Sequence, residues 1–130
     1  MPFRNIRWIV GAVAVCAAVV VPVGGSSADP GGEASRARAK VIRVADDVFS
    51  PNSARVGRGR VITWVWARGN KNAHNVRLRR APAGVDKGRF RSASRRTGFR
   101  FSRRVRRAGR YVFVCSFHAP NMRLVLRVHR

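Results

Sequence analysis

The amino-acid sequence predicts an all-β fold, a Greek-key β-sandwich of seven to eight strands. Within residues 40–128, short stretches of alternating apolar and polar residues are separated by turn residues such as glycine, proline and asparagine. No stretch of this region has the apolar period of an amphipathic helix. The strand count also fits an immunoglobulin-like sandwich, but this region has one cysteine where exported domains of that class have a pair.

The first half of this region contains the clearest strand patterns. Residues 40–44 form the first predicted strand, and residues 48–49 and 54–56 flank a turn at residues 50–52. A second turn at residues 57–59 precedes the strongest strand, residues 60–66, which is rich in β-branched and aromatic side chains. The inward face of that strand is expected to carry three large side chains: Ile62, Trp64 and Trp66.

The second half contains further strands and one long connection. After a turn at residues 68–72, residues 73–79 alternate, so His74 is expected to point inward and Asn75 to lie on the opposite face. Residues 80–97 are polar and contain proline and glycine, which predicts the longest and least regular connection. Alternation then predicts the remaining strands around residues 99–101, 110–115 and 123–128.

The first 28 residues have the features of a secretory signal peptide. Arg4 and Arg7 precede an almost wholly apolar run from residue 8 to residue 23, and small side chains at residues 26–28 suit cleavage after Ala28. We therefore predict a signal peptide at residues 1–28, a flexible linker at residues 29–39 and one domain at residues 40–130. The protein is then extracytoplasmic, whether secreted, periplasmic or at the cell surface. An uncleaved membrane anchor is the alternative.

Positive charge dominates the chain. Lys and Arg number 28 against five Asp and Glu, for a net charge of +23, which falls to +21 when residues 1–28 are removed. Such a charge favours an acidic partner protein, or contact with an anionic membrane or envelope surface. No nucleic-acid partner is expected, because such a function needs base-stacking aromatic residues among the basic ones and the protein is predicted to be exported. The simpler alternative is that these arginines are solvated side chains without a specific partner; a monomer is expected in either case.

The metal-ligating side chains form one spaced constellation. Cys115, His118 and Met122 follow the pattern C-x2-H-x3-M across the connection between the last two predicted strands, and His74 lies inward on an earlier strand. A thiolate, two imidazoles and a thioether are the ligands of a mononuclear blue-copper site, so one copper ion per chain is predicted. Taken singly, each residue is more often an ordinary core residue, and zinc could occupy the same cysteine and histidines. The remaining histidine, His129, is expected to be an exposed terminal residue.

A copper site of this kind indicates a one-electron carrier, because its ligands suit both Cu(I) and Cu(II). Copper storage or delivery without a redox partner is the alternative, although delivery proteins commonly have exposed Met-rich or His-rich tracts, which this chain lacks. An enzyme is not expected. Cys115 and His118 have no accompanying orienting acid or oxyanion motif, and three histidines are too few for the additional copper clusters of oxygen chemistry.

The same residues resemble the cupredoxins, particularly small blue-copper proteins such as plastocyanin, pseudoazurin and the halocyanins. Four motifs carry the similarity: Phe-Ser-Pro at 49–51, the V-x-W-like strand at 61–66, His-Asn-Val at 74–76 and Gly-x-Tyr-x-Phe-x-Cys at 109–115. The resemblance implies an eight-stranded sandwich, a type 1 copper and electron exchange through the exposed edge of His118, inside an apolar rim of Phe117, Ala119 and Pro120. It also implies that Asn75 holds in place the connection that carries Cys115, His118 and Met122, here called the ligand loop.

Overall fold

The computed structural model describes residues 39–130 of the chain. The signal peptide predicted at residues 1–28 and the linker predicted at residues 29–39, apart from residue 39, lie outside these described residues. Eight strands follow one another: β1 (Lys40–Ala45), β2 (Val48–Ser50), β3 (Ser53–Gly57), β4 (Val61–Trp66), β5 (Arg77–Arg80), β6 (Arg100–Arg104), β7 (Gly109–Val114) and β8 (Arg123–His129). A short 3-10 helix, Lys87–Phe90, lies between β5 and β6. No helix in the described region is long and apolar enough to span a membrane.

The strands form two mixed sheets of four strands each. One sheet has the order β2-β1-β4-β6 and the other has the order β3-β8-β7-β5. β1 runs parallel to β4 and β3 runs parallel to β8, whereas the other neighbouring strands are antiparallel. The predicted all-β sandwich of seven to eight strands is therefore confirmed.

The core is built from the inward faces of both sheets. Trp64 of β4 packs against Phe101 of β6 and against Phe113 of β7 in the other sheet, with ring centroids 5.6 and 4.9 Å apart. The predicted inward face of β4 is confirmed, since Ile62, Trp64 and Trp66 are all buried. Burial of each large apolar side chain contributes about 1.5–3 kcal/mol, so this packing holds β4 and β7 in a fixed relation.

The strand predicted at residues 73–79 is shorter than expected. β5 begins at Arg77, because the residues before it leave the sheet and His74 pairs instead with Arg95 through two backbone hydrogen bonds of 2.9 and 3.0 Å. Arg95 lies in the connection predicted at residues 80–97, which is therefore more ordered than its composition suggested. His74 still points inward as predicted, but Asn75, expected on the opposite face, is also buried, at 1% exposure.

Strand direction brings several segments to one end of the sandwich. Because β5 is antiparallel to β7, with Arg77 opposite Val114, the start of β5 lies beside the end of β7. The β7–β8 loop, residues 115–122, begins at the same place. The indole of Trp66, at the end of β4, donates to the backbone carbonyl of His74 at 3.2 Å, so the ends of β4 and its parallel neighbour β1 lie here too.

Candidate metal centre

Segments that are far apart in sequence contribute side chains to this end of the sandwich. His74 precedes β5, Cys115 directly follows β7 and His118 lies in the β7–β8 loop, and their ligand atoms all lie within 4.8 Å of one another. Cys115 Sγ is 3.7 Å from His118 Nδ1, and the two imidazole centroids are 5.0 Å apart. The structure thus brings together the cysteine and both histidines that were predicted as ligands. His129 is exposed at the end of β8, as predicted, and is not part of this cluster.

His74 has a buried ring nitrogen without a hydrogen-bond partner. The side chain is fully buried, and its Nε2 lies 3.2 Å from Asp46 Oδ1, whereas its Nδ1 has no partner among the described residues. Buried polar atoms are nearly always hydrogen-bonded, so an unpaired one needs an explanation. A neutral imidazole offers a metal ion a free lone pair, and the unpaired Nδ1 of His74 fits that role.

Asp46 fixes the tautomer of His74. Its carboxylate accepts hydrogen bonds from the backbone N–H of Lys71, at 2.9 and 3.0 Å, and of Asn72, at 3.1 Å. The bond from Lys71, then that from Asn72, together with the contact to His74, lower the pKa of Asp46 to about 2. An ionised carboxylate beside Nε2 favours the tautomer that carries its proton on Nε2, which leaves the Nδ1 lone pair available.

Backbone hydrogen bonds hold the β7–β8 loop in a compact shape. Cys115 N donates to Met122 O at 3.1 Å, Met122 N donates to His118 O at 3.0 Å and His118 N donates to Cys115 O at 3.3 Å. The three residues of the C-x2-H-x3-M motif are therefore joined to one another by backbone hydrogen bonds within one loop. Met122 itself is fully buried and belongs to the hydrophobic core, so the structure keeps this predicted ligand inside the domain.

Asn75 joins the His74 segment to the ligand loop. Its side-chain amide donates to Ser116 Oγ at 2.8 Å and to Ser94 Oγ at 3.3 Å, and its side-chain carbonyl accepts from Ser116 N at 3.0 Å. Its backbone N–H also donates to Cys115 Sγ at 3.5 Å. These bonds provide the pinning of the ligand loop that the resemblance to cupredoxins implied.

The described part of the chain matches a known family of copper proteins. A family model described as copper binding proteins, plastocyanin/azurin family, matches residues 39–129. The chain belongs to the plastocyanin/azurin family of copper-binding proteins. Copper is therefore its cofactor, and the cluster of Cys115 with two histidines, one of them with an unpaired buried nitrogen, fits that ion. The predicted resemblance to cupredoxins and the predicted copper cofactor are confirmed.

Solved structures share the fold of this cupredoxin. A copper-containing nitrite reductase from Thermus scotoductus SA-01 superposes with a TM-score of 0.60 at 19% identity over 72% of this chain, which spans only 23% of that enzyme chain. A reduced single-site mutant of amicyanin gives 0.59 at 22% identity, covering 70% of this chain and 82% of amicyanin. A purple cupredoxin from Nitrosopumilus maritimus gives 0.57 at 22% identity over 69% and 99% of the two chains. At these identities the likeness concerns the fold alone. No curated protein sequence matches the chain.

The candidate metal cluster of this cupredoxin comes closest to the surface at His118. The His118 side chain is 26% exposed, whereas the other two residues of the cluster are fully buried. Phe117, its neighbour in the loop, is 58% exposed, and Ala119 and Pro120 are also exposed. The three apolar side chains that the resemblance implied as a rim around His118 are therefore all exposed in the same loop.

Two acids in contact with the histidines were not among the residues predicted from the sequence. Asp46 and Asp47 form the turn between β1 and β2, and Asp47 Oδ1 lies 3.1 Å from His118 Nε2 while Asp46 contacts His74. Their only sequence signal is that two of the five acids of a strongly basic chain stand side by side at a turn. That signal marks the turn as unusual, but it does not indicate the histidines that lie far away in sequence.

Proposed function

We propose that this protein is an exported one-electron carrier whose type 1 copper is bound by His74, Cys115 and His118, with Met122 as a weak fourth ligand. The proposal rests on the ligand atoms of these three residues, which lie within 4.8 Å of one another. One of the three residues, His74, has a buried ring nitrogen with no other partner among the described residues. When bound, copper supplies a one-electron couple between Cu(II) and Cu(I).

The residues around the cluster hold the donor atoms in place and leave one outlet to the surface. Two members of the cluster are buried in the core, and Asn75 ties their segments together, so little rearrangement accompanies a change of oxidation state. The partly exposed edge of His118 provides the path for the electron, and the apolar rim around it provides a surface on which a partner docks.

Voltammetry of the copper-loaded protein tests this function. We expect a reversible one-electron wave for the wild-type protein and its loss in Cys115→Ser, which removes the thiolate while nearly preserving the size of the side chain. A wild-type protein that binds copper without any reversible couple would contradict the proposal.

Storage or delivery of copper is the alternative, and it makes a different prediction about exchange. The burial of Cys115, His74 and Met122 favours slow release, because a chelator cannot reach these side chains without opening of the loop. Transfer of copper to a competing chelator is therefore expected to be slow. Rapid transfer, together with the absence of a reversible couple, would favour delivery instead.

We also propose that the chain is not an enzyme, although one fold neighbour is a nitrite reductase. The chain spans only 23% of that enzyme chain, and its three histidines are too few for a second copper cluster besides the one described. The copper-loaded protein is expected to show no turnover of nitrite with an electron donor. Sustained turnover would overturn this part of the proposal.

The positive surface supports steering of a monomeric carrier toward an acidic redox partner. The Debye length falls from about 30 Å at 0.01 M salt to about 3 Å at 1 M, so the bimolecular rate with an acidic partner should fall steeply across that range. A rate that does not change with salt would rule out steering. Attachment to an anionic membrane or envelope surface would show the same salt dependence with vesicles in place of the partner.

Export supports the same role, because the predicted signal peptide places the carrier outside the cytoplasm. Mass spectrometry of the protein recovered from the expressing cells and their medium tests this. We expect a chain that begins at Asp29. Retention of residues 1–28 in a membrane fraction would support the anchored alternative.

A further inference from the structure

A carboxylate lies against part of the outward edge of His118. Asp47 Oδ1 is 3.1 Å from His118 Nε2, and the opposite ring nitrogen, Nδ1, faces Cys115 Sγ at 3.7 Å. With Nδ1 turned toward the ligand cluster, this geometry favours the tautomer whose proton is on Nε2, where the N–H donates a hydrogen bond to the carboxylate. Asp47 is itself 59% exposed and the His118 side chain remains 26% exposed, so the carboxylate shields only part of this edge.

The backbone of Asp47 is held in an unusual conformation. Its φ is 59°, and it is the only non-glycine residue with a positive φ among residues 39–130. Aspartate tolerates this left-handed region better than most residues, and such conformations occur preferentially at functional sites. The preceding residue, Asp46, is fixed by the backbone of Lys71 and Asn72 and contacts His74. One two-residue turn thus supplies a carboxylate to each of the two imidazoles.

These carboxylates stand out against the charge of the rest of the domain. Residues 39–130 contain three acids, and two of them are Asp46 and Asp47 at the metal end. A negative charge beside the ligands stabilises the more positive oxidation state of a bound ion, and hence lowers its reduction potential. A carboxylate that also accepts from the imidazole keeps that ring in place when the charge of the ion changes.

We propose that Asp47 is a positioning residue that holds the His118 ring through Nε2 and lowers the reduction potential of the copper site. The inference rests on the proposed function for its second part only. The first part, the orientation and tautomer of His118, is a property of the metal-free chain.

Two substitutions separate the two roles. Asp47→Asn keeps a side-chain oxygen that accepts from Nε2 and removes the charge, whereas Asp47→Gly removes both and accepts the positive φ without strain. Asp86→Asn is the matched control, because it removes the same charge from a side chain whose carboxylate accepts from Gly88 N, away from the metal cluster.

Nitrogen-15 NMR of the metal-free proteins tests the positioning. We expect His118 to carry its proton on Nε2 in the wild type, in Asp47→Asn and in Asp86→Asn, and to become a mixture of both tautomers in Asp47→Gly. A wild-type His118 protonated on Nδ1, or a tautomer unaffected by Asp47→Gly, would overturn the positioning role without touching the question of electron transfer.

Voltammetry of the copper-loaded proteins tests the effect on the potential. Both Asp47 variants should favour Cu(I) by on the order of tenfold, which is about 59 mV for one electron, and Asp86→Asn should produce a clearly smaller shift. Equal shifts in Asp47→Asn and Asp86→Asn would overturn the claim that Asp47 acts locally. Absence of a reversible couple in every variant and in the wild type would instead reject the proposed function.

A group of arginines surrounds a cavity at the other end of β7. The cavity, of about 240 Å³, lies beside the β6–β7 connection, and its polar lining consists chiefly of five arginines: Arg89, Arg103, Arg104, Arg106 and Arg107. The one carboxylate of the lining, Asp86, already accepts a hydrogen bond from Gly88 N at 2.8 Å. Five guanidinium groups around one carboxylate leave four positive charges without a counter-ion in the lining.

Local contacts hold two of these arginines in place. The Arg103 guanidinium lies over the Phe101 ring at 4.3 Å and donates to Ser102 O at 2.7 Å. Arg107 packs against Gly84, where an added Cβ would lie 3.1 Å from the guanidinium carbon. Planar guanidinium groups bind phosphate oxygens in pairs, so a held group of this kind favours a multivalent oxyanion.

We infer that this cavity binds an oxyanion of the phosphate class, at the end of β7 opposite to the metal centre. Titration calorimetry with inorganic pyrophosphate at physiological ionic strength tests it. We expect saturable binding by the wild type that Arg106→Gln and Arg107→Gln each weaken at least about tenfold, which is near the lower limit for the loss of one charged hydrogen bond. The matched controls Arg55→Gln and Arg127→Gln, on the exposed faces of β3 and β8, should bind like the wild type.

Equal weakening by the control substitutions, or no saturable binding, would overturn the inference, since either result indicates general charge attraction. Vesicles with anionic phospholipid, compared with neutral vesicles, distinguish the source of the phosphate. Binding of vesicles that depends on Arg106 and Arg107 identifies a lipid headgroup as the ligand, whereas binding of pyrophosphate alone identifies a free phosphate.

Discussion

Replacing Asn75 by alanine should disconnect the His74 segment from the ligand loop. The substitution removes three side-chain hydrogen bonds, two donated to serine hydroxyls at 2.8 and 3.3 Å and one accepted from Ser116 N at 3.0 Å. At a net value of about 1 kcal/mol each, their loss should lower the free energy of unfolding by about 3 kcal/mol. The side chain is 1% exposed, so water does not readily replace these bonds.

Urea denaturation of the metal-free protein measures this loss, because it excludes any contribution of copper to stability. We expect the midpoint to fall while the slope with denaturant stays the same. Asn72→Ala is the matched control: Asn72 lies nearby in the same segment, is exposed and contributes a backbone hydrogen bond that the substitution leaves intact, so its effect should stay within about 0.5 kcal/mol. A loss below about 1 kcal/mol for Asn75→Ala would refute the claim that this residue joins the two segments.

Three further substitutions test other parts of the structure. Gly109→Ala should lower the free energy of unfolding by about 1–3 kcal/mol, because the φ of Gly109 is 134° and the new Cβ would lie 2.5 Å from Pro82 Cγ. Gly69→Ala is the control: the position has open space around it, so the free energy of unfolding should change by less than about 0.5 kcal/mol. Leu126→Ala removes a fully buried side chain and should cost about 2–5 kcal/mol in the same urea assay; a cost below about 1 kcal/mol would argue against the packed core. Met122→Leu conserves side-chain volume, so the free energy of unfolding of the metal-free protein should fall by less than about 1.5 kcal/mol. The reduction potential of the copper-loaded variant should rise, because the thioether ligand is lost. An unchanged potential would show that Met122 is only a core residue.

Local patterns were sufficient to predict most of the strands and the ligand loop. Alternation identified the inward face of β4 with Trp64, because a strand with one buried face repeats every two residues. The C-x2-H-x3-M spacing of the loop could be recognised because its members, Cys115 to Met122, are close in sequence. In the structure, backbone hydrogen bonds join these residues to one another. The inward orientation of His74 was predicted from the same alternation, but His74 lies before β5 and its neighbour Asn75 is buried as well, so alternation does not explain it.

The features that the sequence did not predict depend on contacts between distant segments. β5 starts at Arg77 rather than at residue 73 because the segment before it pairs with Arg95, and no local pattern reveals that partner. The carboxylates of Asp46 and Asp47 reach the histidines only because β1 ends beside the ligand loop, which depends on the pairing of β1 with β4. The sequence places the two acids at a turn, but it does not indicate which histidines they contact.

The visible absorption spectrum after addition of Cu(II) tests most directly whether Cys115, His74 and His118 hold one copper ion. These residues lie at the end of the sandwich where the β7–β8 loop begins. We expect an intense visible band that appears at one equivalent of copper, disappears on reduction and is absent from Cys115→Ser. A protein that binds Cu(II) and remains colourless, or a band that persists in Cys115→Ser, would contradict coordination of copper by these residues.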